Sequence, residues 1–420
     1  MSFKKHPRQY DLVLFGATGY TGLYVAEYIT THFPTDLKWA IAGRSEAKLQ
    51  NVIKECNALN PDRQPPEIEI CNLNDADLAT LAKKTFALIT TVGPYSRYGE
   101  HAFKACAESG THYFDCTGEA VWHMTMIKKY EATAKASGAC MFPQSALESA
   151  PSDLLAYSMA STARSELSAP VADVVVELHE IHGTPSGGTL FTLLGLFDIF
   201  SFKDVKKSHK PYALSPVVNS KLAPKPSLFS KWTGLHTIPN LGLLSTSVTS
   251  GTNTAVVQRS WGLSQQEPSL QKQFHGPNFT YREFTRARNY ARGIAMHYSI
   301  VVGSLLLMFC PPFRKLIRKY VAQPGEGASK EESKKEYVKF RGVATPDTQP
   351  PSGKQVWSKA EFKGPLYSMT AAFLSEGART LLLGEVKLNG GVYTPSCLGQ
   401  GFVDRLDDAG FKIETKVIDA

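Results

Sequence analysis

Cysteine is scarce in this sequence and is never arranged as a metal or disulfide motif. The seven cysteines are odd in number and include no CxxC pair, which favours reduced thiols in a cytosol-facing protein over a disulfide scaffold or a zinc site. Residues 1–12 also lack the apolar run of a secretory signal. The net charge of +8 is moderate, and no RNP-type, zinc-finger or basic-zipper pattern accompanies it, so we expect no nucleic-acid partner.

A histidine pattern typical of a metal site is missing as well. His179 and His182 alternate with Glu177 and Glu180, but this is HExH on a predicted strand, not the HExxH that places two histidines on one helical face. Alternation along a strand sends His179 and His182 to opposite sides. We therefore predict solvent-facing or hydrogen-bonded histidines and no metal.

The strongest positive signal is a glycine-rich loop near the N-terminus. Tyr10 to Gly22 reads YDLVLFGATGYTG, in which a short apolar strand runs directly into three glycines. Such glycines allow a tight turn, close backbone approach to a diphosphate and close helix packing. The first turn of the following helix would then face an anion with its backbone N–H groups. The candidate dinucleotide-binding residues are Gly16, Ala17, Thr18, Gly19, Tyr20, Thr21 and Gly22.

The end of the second predicted strand indicates which dinucleotide is bound. An NAD site usually carries Asp or Glu there, to accept hydrogen bonds from the ribose hydroxyls. This chain has Arg44 and Ser45, a guanidinium and a hydroxyl that suit a ribose 2′-phosphate. The alternative is an ordinary surface arginine that opens the helix at Glu46–Cys56. The sequence predicts NADP(H) over NAD(H).

Strands and helices alternate through residues 1–145, which predicts an α/β fold with an N-terminal Rossmann-type parallel sheet. Ligands of such sheets lie beyond the carboxyl ends of the strands. Two further strand ends supply candidate cofactor residues: Thr91, Val92, Gly93, Pro94 and Tyr95 in one, and Thr117, Gly118 and Glu119 in the other.

A chain of 420 residues is too long for one compact core. We predict a substrate- or lipid-associated α+β domain over residues 146–363, on a mostly antiparallel sheet with strand-like runs at Val171–His182, Val248–Ser260 and Tyr337–Phe362. Residues 323–336 are predicted to be a linker. The segment 364–420 begins with a helix that we expect to return to the first domain.

An uncharged run is the other notable feature. From Gly293 to Phe313 no residue carries a formal charge, and roughly 20 apolar residues would span a bilayer. Basic residues flank the run on both sides, with no acidic residue from Arg286 to Gly325. A single span would place one basic cluster on the wrong side, whereas a helix lying in one leaflet keeps both at the cytosolic surface. The alternative is a helix buried between domains or in a homodimer interface.

Taken in order, these blocks resemble one known family. The blocks are YDLVLFGATGYTG, AGRSEAKL, TTVGPY, YFDCTGE, APSDLLA, SGGT, GPLYSMTAAFLSEGARTLL and GGVYTPSCLGQGFVDRL. The set, from Tyr10 to Phe411, resembles the saccharopine dehydrogenase-like oxidoreductases, and within them the trans-acting enoyl reductase branch. One departure is visible: the family commonly has Gly-Phe-Asp-Ser where this chain has Ala146-Leu147-Glu148-Ser149.

The resemblance implies an NADP-type Rossmann domain, work on lipid-like acyl chains as in glycolipid or polyketide-derived lipid assembly, and association with membranes or lipid droplets. Enoyl reduction needs donors for a carbonyl oxygen and a proton source for the α-carbon. Tyr95 and Tyr98 follow a strand end beside the expected nicotinamide, so they are the catalytic candidates, with aromatic packing as the alternative.

Two other functions stay open at this point. One is imine chemistry in the manner of saccharopine dehydrogenases proper. The other is a lipid-surface binding protein with a non-catalytic nucleotide site. NADPH consumption with acyl substrates separates the second of these from the enzymes.

Overall fold

The computed structural model describes residues 3–320 and 327–420, with the side chains of residues 188–190 and 193 outside the description. Numbered along the chain, its strands are β1 Tyr10–Phe15, β2 Trp39–Gly43, β3 Glu67–Ile70, β4 Thr85–Thr90, β5 His112–Asp115, β6 Cys140–Phe142, β7 Val171–His182, β8 His236–Ile238, β9 Gly242–Thr246, β10 Thr280–Arg286, β11 Tyr337–Pro346, β12 Lys354–Lys363, β13 Gly391–Val392 and β14 Lys412–Asp419.

The helices are α1 Tyr20–His32, α2 Glu46–Leu59, α3 Asp75–Lys84, α4 Tyr95–Tyr98, α5 Glu100–Ser109, α6 Ala120–Ser137, α7 Ala150–Leu167, α8 Gly187–Ile199, α9 Phe202–Ser208, α10 Leu228–Thr233, α11 Ser250–Gln266, α12 Tyr290–Phe309, α13 Pro311–Ile317, α14 Lys330–Ser333, α15 Leu366–Leu383 and α16 Gln400–Asp408. Two 3-10 turns lie at Pro268–Gln273 and Pro395–Leu398.

The first sheet is parallel throughout, with strand order β13-β6-β5-β4-β1-β2-β3. Its central strand β1 is apolar on both sides because helices cover both faces. Leu12 and Leu14 pack with α1, α2 and α15, whereas Val13 and Phe15 pack with α3, α5 and α6. This arrangement confirms the predicted α/β fold with an N-terminal Rossmann-type sheet.

The second sheet has the order β14-β12-β11-β7-β10-β9-β8 and is mixed. Within it β7 and β10 are parallel, while the other pairs are antiparallel. Helices α7 and α11 pack against one face of this sheet. The second domain is therefore an α+β unit, as predicted.

The C-terminal segment divides between the two sheets. Helix α15 is buried along most of its length and packs on α1, β4 and β5, so the predicted return to the first domain is confirmed. Strand β13 extends the first sheet. Strand β14, however, pairs with β12 along the edge of the second sheet. Residues 412–419 thus complete the second domain, which the prediction for 364–420 did not include.

Two local predictions need correction or comment. The run Val248–Ser260 was predicted as a strand, and this was wrong: residues 250–266 form the buried helix α11. Its β-branched residues favour a strand locally, but packing against α7 and β10 outweighs that weak preference. Of the predicted linker, residues 323–326 lie outside the described residues. The rest includes α14, whose Lys330 pairs with Glu27 of α1.

Candidate active site

The glycine loop after β1 is packed as a dinucleotide cradle requires. Gly16 has φ +94°, a backbone conformation that residues with a side chain rarely adopt. A Cβ there would also lie 2.7 Å from Cγ2 of Val92, so only glycine fits at this position. At Gly22 a Cβ would meet the carbonyl oxygen of Gly16 and lie 2.9 Å from the Cα of Ala17. At Gly19 the nearest atom to a Cβ is 3.4 Å away, which leaves that side open for a ligand.

The N-terminus of α1 points its unused donors into this open side. Gly19 is the N-cap and provides no side-chain hydrogen bond, so the first-turn N–H groups remain available to an anion. Thr18 is exposed and Thr21 half-buried at the same turn, whereas Ala17 is buried. Together these residues fit a diphosphate.

Tyr20, also predicted as a cofactor residue, has another contact. Its hydroxyl donates to the carbonyl oxygen of Ala328 at 2.8 Å, and its ring packs edge-on against Tyr367 at 4.8 Å. Tyr20 therefore joins α1 to the segment around α14 and to α15. Its backbone N–H, not its side chain, belongs to the cradle.

Arg44 lies at the carboxyl end of β2, where the sequence predicts the adenosine end of the cofactor. It is exposed directly after β2, beside the strand that carries the glycine loop. Across the described part of the chain its guanidinium has no hydrogen bond or ion pair. Ser45 begins α2 without capping it through its side chain. An unpaired guanidinium and an unused hydroxyl suit a 2′-phosphate.

The loop after β4 is fixed against the glycine loop and against the loop after β5. The Thr91 hydroxyl donates to the Gly16 carbonyl oxygen at 3.1 Å. Tyr95 is buried, and its hydroxyl donates to the carbonyl oxygen of Thr90 at 2.9 Å and lies 3.2 Å from Sγ of Cys116. Burial raises the pKa of this phenol well above its ordinary value.

The two catalytic candidates are therefore not equivalent. The Tyr95 hydroxyl is buried at the end of β4, where no substrate can reach it. These contacts favour the packing role for this residue. Tyr98 is 40% exposed at the other end of α4. The structure does not bring the two hydroxyls together.

Glu119 holds the loops after β4 and β5 together. Its carboxylate accepts hydrogen bonds from the backbone N–H groups of Tyr95 at 2.8 Å and Ser96 at 3.2 Å, and so caps α4. Its own N–H donates to the Thr117 hydroxyl at 3.1 Å. Burial raises the pKa of this carboxyl above its ordinary value, while these hydrogen bonds oppose the shift. Glu119 therefore has a structural role at the carboxyl ends of the strands of the first sheet, which we call the cofactor edge.

A second buried carboxylate joins β10 to two helices of the second domain. Glu283 of β10 accepts hydrogen bonds from five side chains, those of Ser152, Ser247, Thr249, Asn253 and Tyr281. Ser152 and Asn253 lie in the first turns of α7 and α11, where a negative charge is favourable. Sequence reasoning missed this network because its members come from distant segments.

Glu148 is the third carboxylate near these strand ends, and no functional role was predicted for it. It follows β6 and lies against the backbone of Gly118, where a Cβ would fall 2.7 Å from its Oε1 atom. The side chain is exposed to solvent, although many protein atoms lie around its carboxyl group. Its place in the loop that follows β6, a strand of the parallel sheet, was a signal that could have been used.

A separate cavity of about 660 Å³ lies between the end of β7 and α14. Glu332 and Glu336 line it, and Glu336 accepts hydrogen bonds from the N–H groups of Thr184 at 3.1 Å and Leu366 at 2.9 Å. Two carboxylates make this cavity a poor site for a phosphate, so the cofactor is assigned to the sheet edge.

His179 and His182 do not form a metal centre with their neighbours. His179 Nδ1 is 2.8 Å from Oε1 of Glu177, and its Nε2 is 3.0 Å from the guanidinium of Arg286. His182 stacks on Tyr337. Within residues 3–320 and 327–420, the structure contains no group of three potential metal-ligating side chains.

Comparison with known proteins agrees with this geometry. Residues 12–141 match the saccharopine dehydrogenase NADP-binding domain family. A Mycobacterium tuberculosis protein named in the trans-acting enoyl reductase group is 30% identical over 97% of this chain and 98% of its own length. The chain belongs to the saccharopine dehydrogenase-like oxidoreductases, in the trans-acting enoyl reductase branch. The Mycobacterium leprae trans-acting enoyl reductase is 28% identical over 97% of this chain and 98% of its own.

Solved structures show the same fold over nearly the whole chain. Apo saccharopine dehydrogenase from Saccharomyces cerevisiae has a TM-score of 0.56 at 11% identity, covering 97% of this chain and 99% of its own. The homospermidine synthase of Legionella pneumophila, solved with NAD, has a TM-score of 0.53 at 10% identity, covering 99% and 92%. This family member is an NADP-dependent oxidoreductase, and the cradle and Arg44 fit that cofactor.

Proposed function

We propose that this protein uses NADPH to reduce the C=C bond of a lipid-linked enoyl thioester at a cytosol-facing membrane or lipid-droplet surface. The observation that carries the proposal is a large exposed apolar surface connected to the cofactor edge of the first sheet. The names of the related enoyl reductases support the acyl class of substrate.

The apolar surface is built mainly on α12. This helix of 20 residues is long and apolar enough to cross a membrane, and only 6% of its apolar window is buried. Its exposed side chains include Tyr298, Val302, Leu305, Leu306 and Phe309. Soluble proteins rarely leave such a continuous apolar patch uncovered, so a partner surface is expected.

The short helix α10 adds a second apolar element to the same surface. Leu228, Phe229 and Trp232 are 74%, 59% and 72% exposed. A Cβ at Gly234, the C-cap of α10, would collide with the ring of His297 in α12, so the two helices are closely packed. Aromatic and leucine side chains beside lysines are typical of helices that lie in a membrane interface.

Charge and helix ends favour a position in one leaflet. Basic residues precede and follow α12 with no acidic residue between them. The Arg314 guanidinium of α13 donates to the carbonyl oxygens of Leu307 at 2.7 Å and Met308 at 3.2 Å, so the last turn of α12 is capped by a cation. Anionic head groups would meet the same basic flanks.

Helix α8 connects this surface to the cofactor edge. Its Asp198 lies 3.5 Å from Arg97 of α4, which follows the Thr91–Tyr95 loop. On the other side Asp198 lies 3.4 Å from Arg314 and 2.5 Å from Arg318. An acyl chain leaving the lipid surface would therefore have a short path to the cofactor.

Each part of the chain then has a defined task. The glycine loop binds the diphosphate, Arg44 binds the 2′-phosphate, and Glu119 holds the loops beneath the nicotinamide. NADPH supplies the hydride when bound. The apolar helices exclude water and position the acyl chain, which leaves the protein to supply one proton.

The test is NADPH oxidation by the purified full chain with a long-chain trans-2-enoyl-CoA, in the presence of vesicles that contain or lack anionic lipid. We expect turnover, together with flotation of the protein on the anionic vesicles. A triple variant Leu305→Gln, Leu306→Gln, Phe309→Gln should lose flotation while still binding NADPH. The matched control Leu59→Gln, Ile70→Gln changes two exposed apolar residues of the first domain and should float normally.

Each other result points to a specific alternative. If the triple variant still floats, α12 is not the lipid-binding element. If the wild type is a homodimer that the triple variant abolishes, α12 is a subunit interface. NADPH binding without turnover indicates a lipid-surface protein with a non-catalytic nucleotide site, and turnover with an imine but no enoyl substrate indicates saccharopine-type chemistry.

A further inference from the structure

Three carboxylates meet where the first sheet faces the second domain, and they differ in how their oxygens are used. Glu119 accepts from two backbone N–H groups, and Glu283 accepts from five side chains. Glu148 makes no hydrogen bond or ion pair anywhere in the described chain, and solvent reaches it. Only this carboxyl is therefore free to exchange a proton with a ligand.

The strand order places Glu148 at the reacting end of the cofactor. Arg44 follows β2, the glycine loop follows β1, and the next strands in the sheet are β4, β5 and β6. Neighbouring strands are roughly 4.8 Å apart, so a dinucleotide running from Arg44 across β1 brings its nicotinamide to β4 and β5. Glu148 follows β6 and lies against Gly118, at the end of β5. It thus faces the position of the hydride acceptor.

The packing at Gly118 fixes the carboxyl in that place. A Cβ on residue 118 would overlap the Glu148 carboxyl, so glycine is what lets this side chain reach across the end of β5. On the chain, Glu148 directly precedes Ser149, the N-cap residue of α7, so its backbone is anchored by that helix. A carboxyl held in place by its anchored backbone and by the contact with Gly118 is suitable for proton transfer.

We propose that Glu148 is the catalytic proton donor, delivering a proton to the α-carbon as the C=C bond is reduced. This assignment rests on the proposed enoyl reduction. A hydride from NADPH forms the C–H bond at the β-carbon, the π-electron pair moves to the α-carbon, and the Glu148 O–H bond breaks to protonate it. The products are the saturated thioester, NADP⁺ and the Glu148 carboxylate, which regains its proton from water.

The surroundings keep the proton on Glu148 near neutrality. Displacement of water by surrounding protein, and then the nearby carboxylates of Glu283 and Glu119, raise the pKa of Glu148 to about 7. The Cys116 thiol also lies within its field. The N-terminus of α7 opposes this shift, because it favours a negative charge. General acids work best with a pKa near the working pH.

The experiment compares Glu148→Gln with wild type and with Glu166→Gln, an exposed glutamate on the far part of α7. We expect Glu148→Gln to keep the NADPH dissociation constant and vesicle flotation within about twofold. Its kcat should fall by about 100-fold or more, the usual contribution of a general acid. Glu148→Asp should restore part of kcat, and Glu166→Gln should behave as wild type.

Two further measurements separate proton donation from a structural role. Wild-type kcat should fall as pH rises above about 7, and the carboxyl infrared band that titrates there should be missing in Glu148→Gln. Glu283→Gln should shift the fall in kcat to lower pH, because it removes a negative neighbour of Glu148. A Glu148→Gln enzyme with kcat within fivefold of wild type and the same pH profile would overturn the assignment. Absence of enoyl turnover in the wild type would instead remove the proposed function and the assignment with it.

Discussion

Single residues at the cofactor edge divide into those whose hydrogen-bonding groups are already used and those left unpaired. Hydrogen bonds that hold the loops together use the polar atoms of Tyr95, Glu119 and Thr91. Arg44 and Glu148 have no partner among the residues that the structure describes. The unpaired charges are available to a ligand, whereas the paired groups hold the loops in position.

We expect Arg44 to contribute to the binding of NADPH but not of NADH. Arg44→Ala should weaken NADPH binding by about 10- to 100-fold, since a charge-assisted hydrogen bond to a phosphate contributes about 1.5–3 kcal/mol. Binding of NADH, which has no 2′-phosphate, should change little. Fluorescence titration with both nucleotides measures this, with Lys54→Ala, an exposed lysine of α2, as the control. An equal loss for both nucleotides would mean that Arg44 does not read the 2′-phosphate.

At the scale of elements, Glu283 connects β10 to the starts of α7 and α11. One buried carboxylate accepts hydrogen bonds from five side chains and so satisfies five buried donors. Helix α7 in turn carries Asp153, which accepts from Ser260 of α11 at 2.5 Å and from the N–H of Ser396 at 2.8 Å. Burial raises the pKa of Asp153 to about 6. The two acids fix α7 and α11 to each other and to β10.

Removing Glu283 should therefore loosen several elements at once. Glu283→Ala leaves buried donors without an acceptor and should reduce the free energy of unfolding by about 3 kcal/mol or more. Glu283→Gln keeps one oxygen acceptor and should lose about half as much. Urea denaturation checks both, with Glu166→Ala as a surface control. A Glu283→Ala protein as stable as wild type would show that the network does not stabilise the packing of α7 and α11 on β10.

In the whole molecule, buried histidines and buried acids respond to pH in opposite directions. Burial lowers the pKa of His123 and His275 to about 3, and raises the pKa of Asp115 and Glu177 to about 7. An acid with a raised pKa favours the folded state most at low pH, and that contribution is lost as pH rises through the folded value. A histidine with a lowered pKa costs stability as pH falls below its ordinary 6.5, because only the unfolded chain then takes up the proton.

A substitution at His275 can measure how much a buried histidine contributes to the pH dependence of stability. Both ring nitrogens are buried without a hydrogen bond in the described structure, and the ring lies 4.6 Å from that of Phe279. His275→Phe keeps the aromatic packing and removes the titration. The difference in the free energy of unfolding between variant and wild type should be about 2 kcal/mol more favourable to the variant at about pH 5 than at pH 7. This follows from 1.36 kcal/mol per unit of pKa difference. Urea unfolding at both pH values measures this, and an equal difference at the two would contradict a neutral buried His275.

Features controlled by short-range patterns could be read from the order of residues alone. The glycine loop, Arg44 after β2 and the alternation of strands with helices are set by steric demands and hydrophobic period within a few residues, so they could be predicted. Tyr95 and Tyr98 could be placed near the strand end, but not the direction of their hydroxyls, because this depends on burial against Trp122 and Cys116.

Contacts between distant residues depend on the packing of the whole fold. Helix α11 forms from a strand-like sequence because packing and a carboxylate at its N-terminus outweigh local preference. Gly118, Glu148 and Glu283 come together from three separate segments, and no periodicity joins them. The exposed state of α12 is likewise a fact of packing: composition made it apolar, but its neighbours leave it uncovered.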